Sequence, residues 1–222
     1  MTPKKFKNYT LLLLTLATFQ LSLMACGDKE PATNTDNTST ETTATSTNAG
    51  QSTAEDPSTS ATAETNNWVD FTTENKAISI KFPGPPETQE QTAPTNTGEV
   101  QFSMTTYADE SSKQFFMVSS VDYPVNPDEY DVEQGLEGAK NGAAQNSGST
   151  IVSDEASDRF GIPGKKLVMN KTEQGETLTI RAELYIDPKG PTLHQIMIVV
   201  QGDDVNTPEA NAFFDSAQIT KL

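Results

Sequence analysis

One cysteine, one histidine and one tryptophan in 222 residues leave little with which to build chemistry. A single cysteine excludes an intramolecular disulfide and any thiolate metal cluster. A single histidine removes the common histidine-based zinc sites and proton relays between histidines. Cations are scarce as well: 15 Lys and Arg face 31 Asp and Glu, for a formal charge of -16. That balance argues against nucleic acid as a partner, because a polyphosphate is repelled wherever the charge is felt. Only 34% of the residues are hydrophobic, so part of the chain stays out of any core. One domain of ordinary size with a tail fits these numbers.

The N-terminus carries an address. Residues 1 to 25 contain no acid; Lys4, Lys5 and Lys7 precede an apolar run from Leu11 to Ala25, broken mainly by Thr15, Thr18, Gln20 and Ser22. A charged start followed by such a run has the build of an export signal. The run is shorter than the roughly 18 to 20 residues that a spanning helix needs, which favours cleavage over a permanent span. The stretch Leu23-Met24-Ala25-Cys26 then resembles a bacterial lipobox, with Met24 in place of the small or β-branched residue most common there. The resemblance implies a diacylglyceryl thioether on Cys26, cleavage after Ala25 and an acyl group on the new amino terminus. Two or three acyl chains anchor firmly where one would exchange. The simpler alternative is an ordinary secretory signal in which Cys26 is incidental. Cleavage removes three lysines and no acid, and so takes the charge from -16 to -19. Attachment to a membrane then has to come from lipid, since no basic patch is left to supply it.

From Gly27 to Asn67 there is no Val, Ile, Leu, Met, Phe, Tyr or Trp. Twelve threonines between Pro31 and Asn66, with Ser, Ala, Asn and five acids, make residues 26–66 a low-complexity, disordered linker, because nothing there offsets the entropy of ordering. As a flexible coil it has a reach of ~35 Å. The sequence "CGDKE" that follows Ala25 reads either as a sorting signal between membranes or as the start of the linker.

Residues 67–222 form the predicted domain, α+β with more strand than helix. "AISIKFPGPP" alternates Ile78, Ile80 and Phe82 with Ser79 and Lys81, a half-buried strand stopped by Pro83 and the turn after it. "VQFSMTTY" presents Val100, Phe102 and Met104 on one face. "QFFMVSSVDY" and "LHQIMIVV" are apolar on both faces, as strands covered from both sides are. The stretch Ile151 to Lys171 reads as two strands joined at "FGIPG", and "ETLTIRAELYI" as a strand with Leu178, Ile180, Ala182, Leu184 and Ile186 on one side. The spacing of Val132, Leu136, Ala139 and Ala143 predicts a helix over 132–146, capped by Asp131 and weakened by Gly135, Gly138 and Gly142, with close packing as the expected compensation. A second helix starts at Thr207-Pro208-Glu209 and turns Phe213 and Phe214 inward. A short last strand is expected within 217–222. The predicted architecture is a mainly antiparallel sheet with helices on both faces, an α-β-α sandwich.

The order of Trp68, Phe71, "ISIKFPGPP", paired strands, a small-residue helix, "FGIPGKK", "LTIRAELYI", "LHQIMIVV" and "FFDS" resembles the PsbP-like domains of small bacterial exported proteins and lipoproteins. The resemblance covers essentially all of 68–220 and rests on element order. It implies a scaffold that touches other proteins, and it supplies no catalytic residue.

Candidate sites are few. His194 lies in an apolar strand pattern, where a hydrogen-bonded structural or edge histidine is the reading set against a catalytic one. Asp203, Asp204, Asn206 and Glu209 could hold calcium but lack the progression of an EF-hand loop; a turn with helix-capping acids accounts for them, and no metal is expected. Six acids and no Lys or Arg lie between Asp122 and Glu137, either steering a basic partner or forming a solvated loop and helix start. Trp68 reads as a core plug or edge anchor. No nucleophile elbow, P-loop or dinucleotide fingerprint is present. The expectation is a membrane-tethered, non-catalytic interaction module of the bacterial cell envelope, its domain monomeric and outside the cytoplasm, with an unidentified protein partner and no cofactor. A carrier or sensor of a small apolar ligand is the alternative, an enzyme of unknown class the third; no ligand-binding residue is assigned.

Overall fold

The computed structural model describes residues 65, 67–95 and 98–221, together with the side chains outside 93–98. The expected signal segment 1–25 with Leu23, Met24 and Ala25, Cys26 and nearly all of the expected linker 26–66 lie outside the described residues. No helix among the described residues is long and apolar enough to cross a membrane.

Among the described residues ten strands and two helices follow in the order β1 (Val69–Thr72), β2 (Ile78–Phe82), β3 (Glu87–Thr95), β4 (Gly98–Asp109), β5 (Gln114–Asp122), a single 3-10 turn at Pro127–Glu129, α1 (Val132–Ser147), β6 (Thr150–Ser157), β7 (Gly164–Glu173), β8 (Glu176–Asp187), β9 (Thr192–Gln201), α2 (Pro208–Ser216) and β10 (Gln218–Ile219). Seven strands form one antiparallel sheet in the order β3-β4-β5-β9-β8-β7-β6. The other three form a small sheet, β1-β2-β10. The domain is thus mostly antiparallel sheet with two helices.

The two strands that are apolar on both sides, β5 and β9, pair with each other at the centre of the large sheet. Each face carries its own core. On the first, Leu136 and Ala139 of α1 meet Leu167, Ile180, Ala182, Leu184 and Ile186, with α1 lying over β7 and β8. On the second, Phe116, Ile196 and Ile198 meet Ile78, Ile80 and Phe82 of the small sheet and Phe213 and Phe214 of α2. A helix lies on each face, but the expected helix-covered sandwich holds only in part: the second face is covered by β1-β2-β10 and the nine-residue α2 together. A helix of two and a half turns is too short to cover that area alone.

Helix α1 ends one residue beyond its predicted limit. Asp131 accepts a hydrogen bond from the Gln134 amide at 3.0 Å, and Gly148, at φ 64, closes the helix in the left-handed conformation. Close packing accounts for one of its three glycines only. A Cβ at Gly135 would strike the Tyr130 hydroxyl and lie 3.0 Å from Ile186, whereas at Gly138 and Gly142 it would meet open space. Gly164 marks a second close approach, where a Cβ would run into the Tyr185 ring and lie 2.6 Å from the Leu184 carbonyl. β1 and β3 were not expected as strands, and the last strand is shorter than predicted.

Candidate functional site

Because side chains alternate along a strand, the residues of β8 that turn away from α1 are Thr179, Arg181, Glu183, Tyr185 and Asp187. Their face is the one that carries the second core, yet Glu183 and Tyr185 are both 0% exposed. A carboxylate withdrawn from water costs several kcal/mol unless it is paired. The pairing is found among the residues around it. Tyr185 Oη donates to Glu183 Oε2 at 2.8 Å and lies 3.1 Å from Ser157 Oγ, at the end of β6. Arg159, in the loop between β6 and β7, brings Nη1 to 3.5 Å from the same carboxylate oxygen, and Arg181 brings Nη2 to 3.6 Å from the other. These are the only two arginines in the chain.

Each guanidinium reaches further. Arg181 donates to Asn211 Oδ1 of α2 at 2.8 Å and lies over the Phe214 ring, 4.1 Å from its centre. Arg159 donates to the Asp215 carbonyl at 3.4 Å and lies over Phe160, which packs edge-on against Tyr185 at 4.8 Å. The cluster thus ties β8 to the end of β6, the β6–β7 loop and α2. Burial pushes the Tyr185 hydroxyl well above its ordinary pKa, so it stays a donor at any physiological pH. Sequence reasoning missed this cluster. Its only trace in the sequence is that both arginines belong to the segments that meet here.

His194 lies in the fourth strand of seven, so the edge reading does not hold. It is 2% exposed, and its Nδ1 is 3.0 Å from Ser120 Oγ on the neighbouring β5. Burial lowers its pKa to about 4, against the opposing pull of Asp187 and Asp122. The ring is therefore neutral at pH 7. In the adjacent row Thr192 donates to Asp122 Oδ1 at 2.7 Å.

The other expected sites come apart. Asp204 accepts from the Asn206 amide at 2.8 Å, Thr207 caps α2 by accepting from the Ala210 amide at 3.1 Å, and Glu209 lies in the first helical turn. Those are turn and capping roles, as the simpler reading has it. No group of three or more His, Cys, Asp or Glu able to hold a metal occurs among the described residues. The acids from Asp122 to Glu137 divide similarly: Asp122 is held by Thr192, Asp128 and Glu129 lie in the 3-10 turn, Asp131 caps α1, and Glu133 lies in its first turn. Glu137 is bound by Lys140 and by Lys165, the latter at 2.7 Å, and both lysines also bind Asp154, at 2.9 and 3.2 Å. Hydrogen bonds from Lys140 and then Lys165 hold the Glu137 carboxyl below its usual range. This balanced network fastens α1 to β6 and β7. Trp68 is half-buried, edge-on to Phe116 at 6.5 Å, beside the second core.

No protein-family model and no curated protein matches this chain. Among solved structures it is similar to LpqN, described as involved in cell envelope biogenesis of Mycobacterium tuberculosis, with a TM-score of 0.40 and 16% identity over 69% of this chain and 91% of that one. A point mutant of the protein Mog1 also gives a TM-score of 0.40, with 12% identity over 70% of this chain and 97% of that one.

Proposed function

We propose that this chain is a lipid-anchored protein of the bacterial cell envelope, held to a membrane through an acylated Cys26, and that its domain, outside the cytoplasm, works by binding another protein rather than by turning over a substrate. The observation that carries the second half is where the reactive side chains go. His194, Glu183 and Tyr185 are sealed inside the domain and engaged there in joining one element to the next. Side chains spent in this way hold a scaffold together and offer a substrate no acid, base or nucleophile. The first half rests on Lys4, Lys5, Lys7, the apolar run and Leu23-Met24-Ala25-Cys26. The linker then acts as a tether that lets the domain search for its partner near the membrane. The order of elements from β1 to β10 supports placing the domain among the PsbP-like sandwiches.

The test of the anchor is Cys26→Ser followed by cell fractionation. The expected result is loss of the protein from the membrane fraction, with release or accumulation of an unprocessed form. Unchanged membrane association would refute lipid attachment at Cys26.

A further inference from the structure

We propose that the outer edge of β3, from Glu87 to Ala93, is a docking site for an extended basic segment of a partner protein, which joins the large sheet as an eighth strand. The proposal rests on the reading of the domain as a protein-binding module. Its starting point is the difference between the two ends of the large sheet. At one end β6 carries a bulge: Ile151 pairs with Met169 and Ser153 with Val168, which leaves Val152 unpaired and 60% exposed. Beyond it, Asp154 is bound by Lys140 and Lys165. Bulges and charges of this kind blunt an edge against further strands.

At the other end β3 carries no bulge; its one proline, Pro94, stands near its end, and its charges, Glu87 and Glu90, are of one sign. It keeps nine consecutive pairs with β4, from Glu87 opposite Thr106 to Thr95 opposite Gly98, without a break in register. Among the described residues it pairs on that side only. In an antiparallel ladder every second residue of a terminal strand directs its N–H and C=O outward, so a straight run of unused donors and acceptors follows from the register. Pro94, which has no N–H, closes the run and leaves seven residues, ~24 Å of edge. Thr88, Gln89, Glu90 and Thr92 are exposed.

Charge selects the occupant. Between Pro83 and Gln101 stand Glu87, Glu90 and Glu99 and no Lys or Arg, so the gatekeeper lysines that keep other edges single are missing. A second copy would bring the same glutamates, and a second strongly negative net charge, against this edge. A strand with Lys or Arg opposite Glu87 or Glu90 meets opposite charge instead, and encounter with the acidic domain is steered in its favour. Backbone hydrogen bonds then supply the affinity, as in other strand-addition complexes.

The test uses the full chain in detergent and a synthetic nine-residue peptide of alternating Val and Thr with two Lys, read by hydrogen exchange. Exchange over 87–93 is expected to slow about tenfold or more with this peptide, while 150–157 is unchanged. The same peptide with N-methylated amides, or with Glu for Lys, is expected to leave 87–93 unchanged, as is the ordinary peptide added to the folded variant Gln89→Lys/Gln91→Lys. Equal slowing by the N-methylated peptide, equal slowing at 150–157, or slowing that needs no peptide and rises with chain concentration would each overturn the proposal, the last by making the occupant a second copy. A photo-crosslinker at position 89 in cells separates this proposal from the reading beneath it. Capture there of a basic, extended segment supports both. Capture of a partner from position 152 alone overturns the β3 site and leaves a binding module standing, and capture from neither position counts against both.

Discussion

His194→Asn gives the sharpest test of the polar interior, because its effect depends on pH in a stated direction. The ordinary histidine pKa is 6.5 and the folded value is about 4. Above pH 6.5 the ring is neutral in folded and unfolded chains alike and contributes nothing to the pH dependence. As pH falls below 6.5 the unfolded chain takes up a proton that the folded one refuses, so stability is lost, and the loss saturates once pH has passed the folded value. The shift corresponds to about 3 kcal/mol in all, with about 2.5 kcal/mol of it expected between pH 7.5 and 4.5. The carboxylates act in a different window. Glu137 and Asp154 titrate below their usual range, so what they contribute is present above that range and lost only as pH falls through their lowered values. Asparagine keeps a hydrogen-bonding group near Ser120 and cannot titrate. Urea unfolding of the full chain at pH 7.5, 5.5 and 4.5 should show the variant less stable by about 1 kcal/mol at the highest pH, from lost packing and a poorer hydrogen bond, and more stable than the parent at the lowest. Parallel pH profiles would refute the claim that His194 is buried neutral.

The glycines of α1 should separate by position. Gly138→Ala and Gly142→Ala, which place a Cβ in open space, should each stabilise by about 0.5 to 1 kcal/mol, while Gly135→Ala, which must push Tyr130 from its stack on Tyr123, should destabilise; the same sign at all three in thermal unfolding would contradict the packing account. Glu183→Gln leaves Arg159 and Arg181 facing a neutral amide and should cost about 2 to 4 kcal/mol, with faster hydrogen exchange across α2; a loss below about 0.5 kcal/mol with α2 unaffected would mean that the cluster does not hold the helix.

The legible part of this fold is the part that burying apolar surface dictates. β5 and β9 are apolar on both faces because both faces of the sheet are covered at its centre, and the helix periods stand out because each helix has one wet side. β3 was missed for the complementary reason. "ETQEQTAPT" has no apolar alternation, since at the end of the sheet the side chains of residues 87–92 are mostly exposed, and its strand conformation is imposed by the ladder to β4. β1 was missed because four residues of "VDFT" are too few to show a period.

The polar interior was illegible for a stronger reason. In "TIRAELYI" the alternation correctly separates Ile180, Ala182 and Leu184 from Arg181 and Glu183, and a charged side chain opposite a core face reads as solvated. What makes Glu183 tolerable inside is supplied from elsewhere: Arg159 from a loop 24 residues upstream, Arg181 one place along the same face, and α2, which covers them. His194 likewise meets Ser120, 74 residues away. Both arrangements depend on which strands become neighbours, and β5, β9 and β8 are adjacent only because the chain inserts β9 between two strands formed earlier in sequence. Local patterning registers the presence of a charge, and topology decides whether it faces water. That is why the second face could be read as sheet from the sequence while the joint that fastens α2 and the β6–β7 loop to it could not.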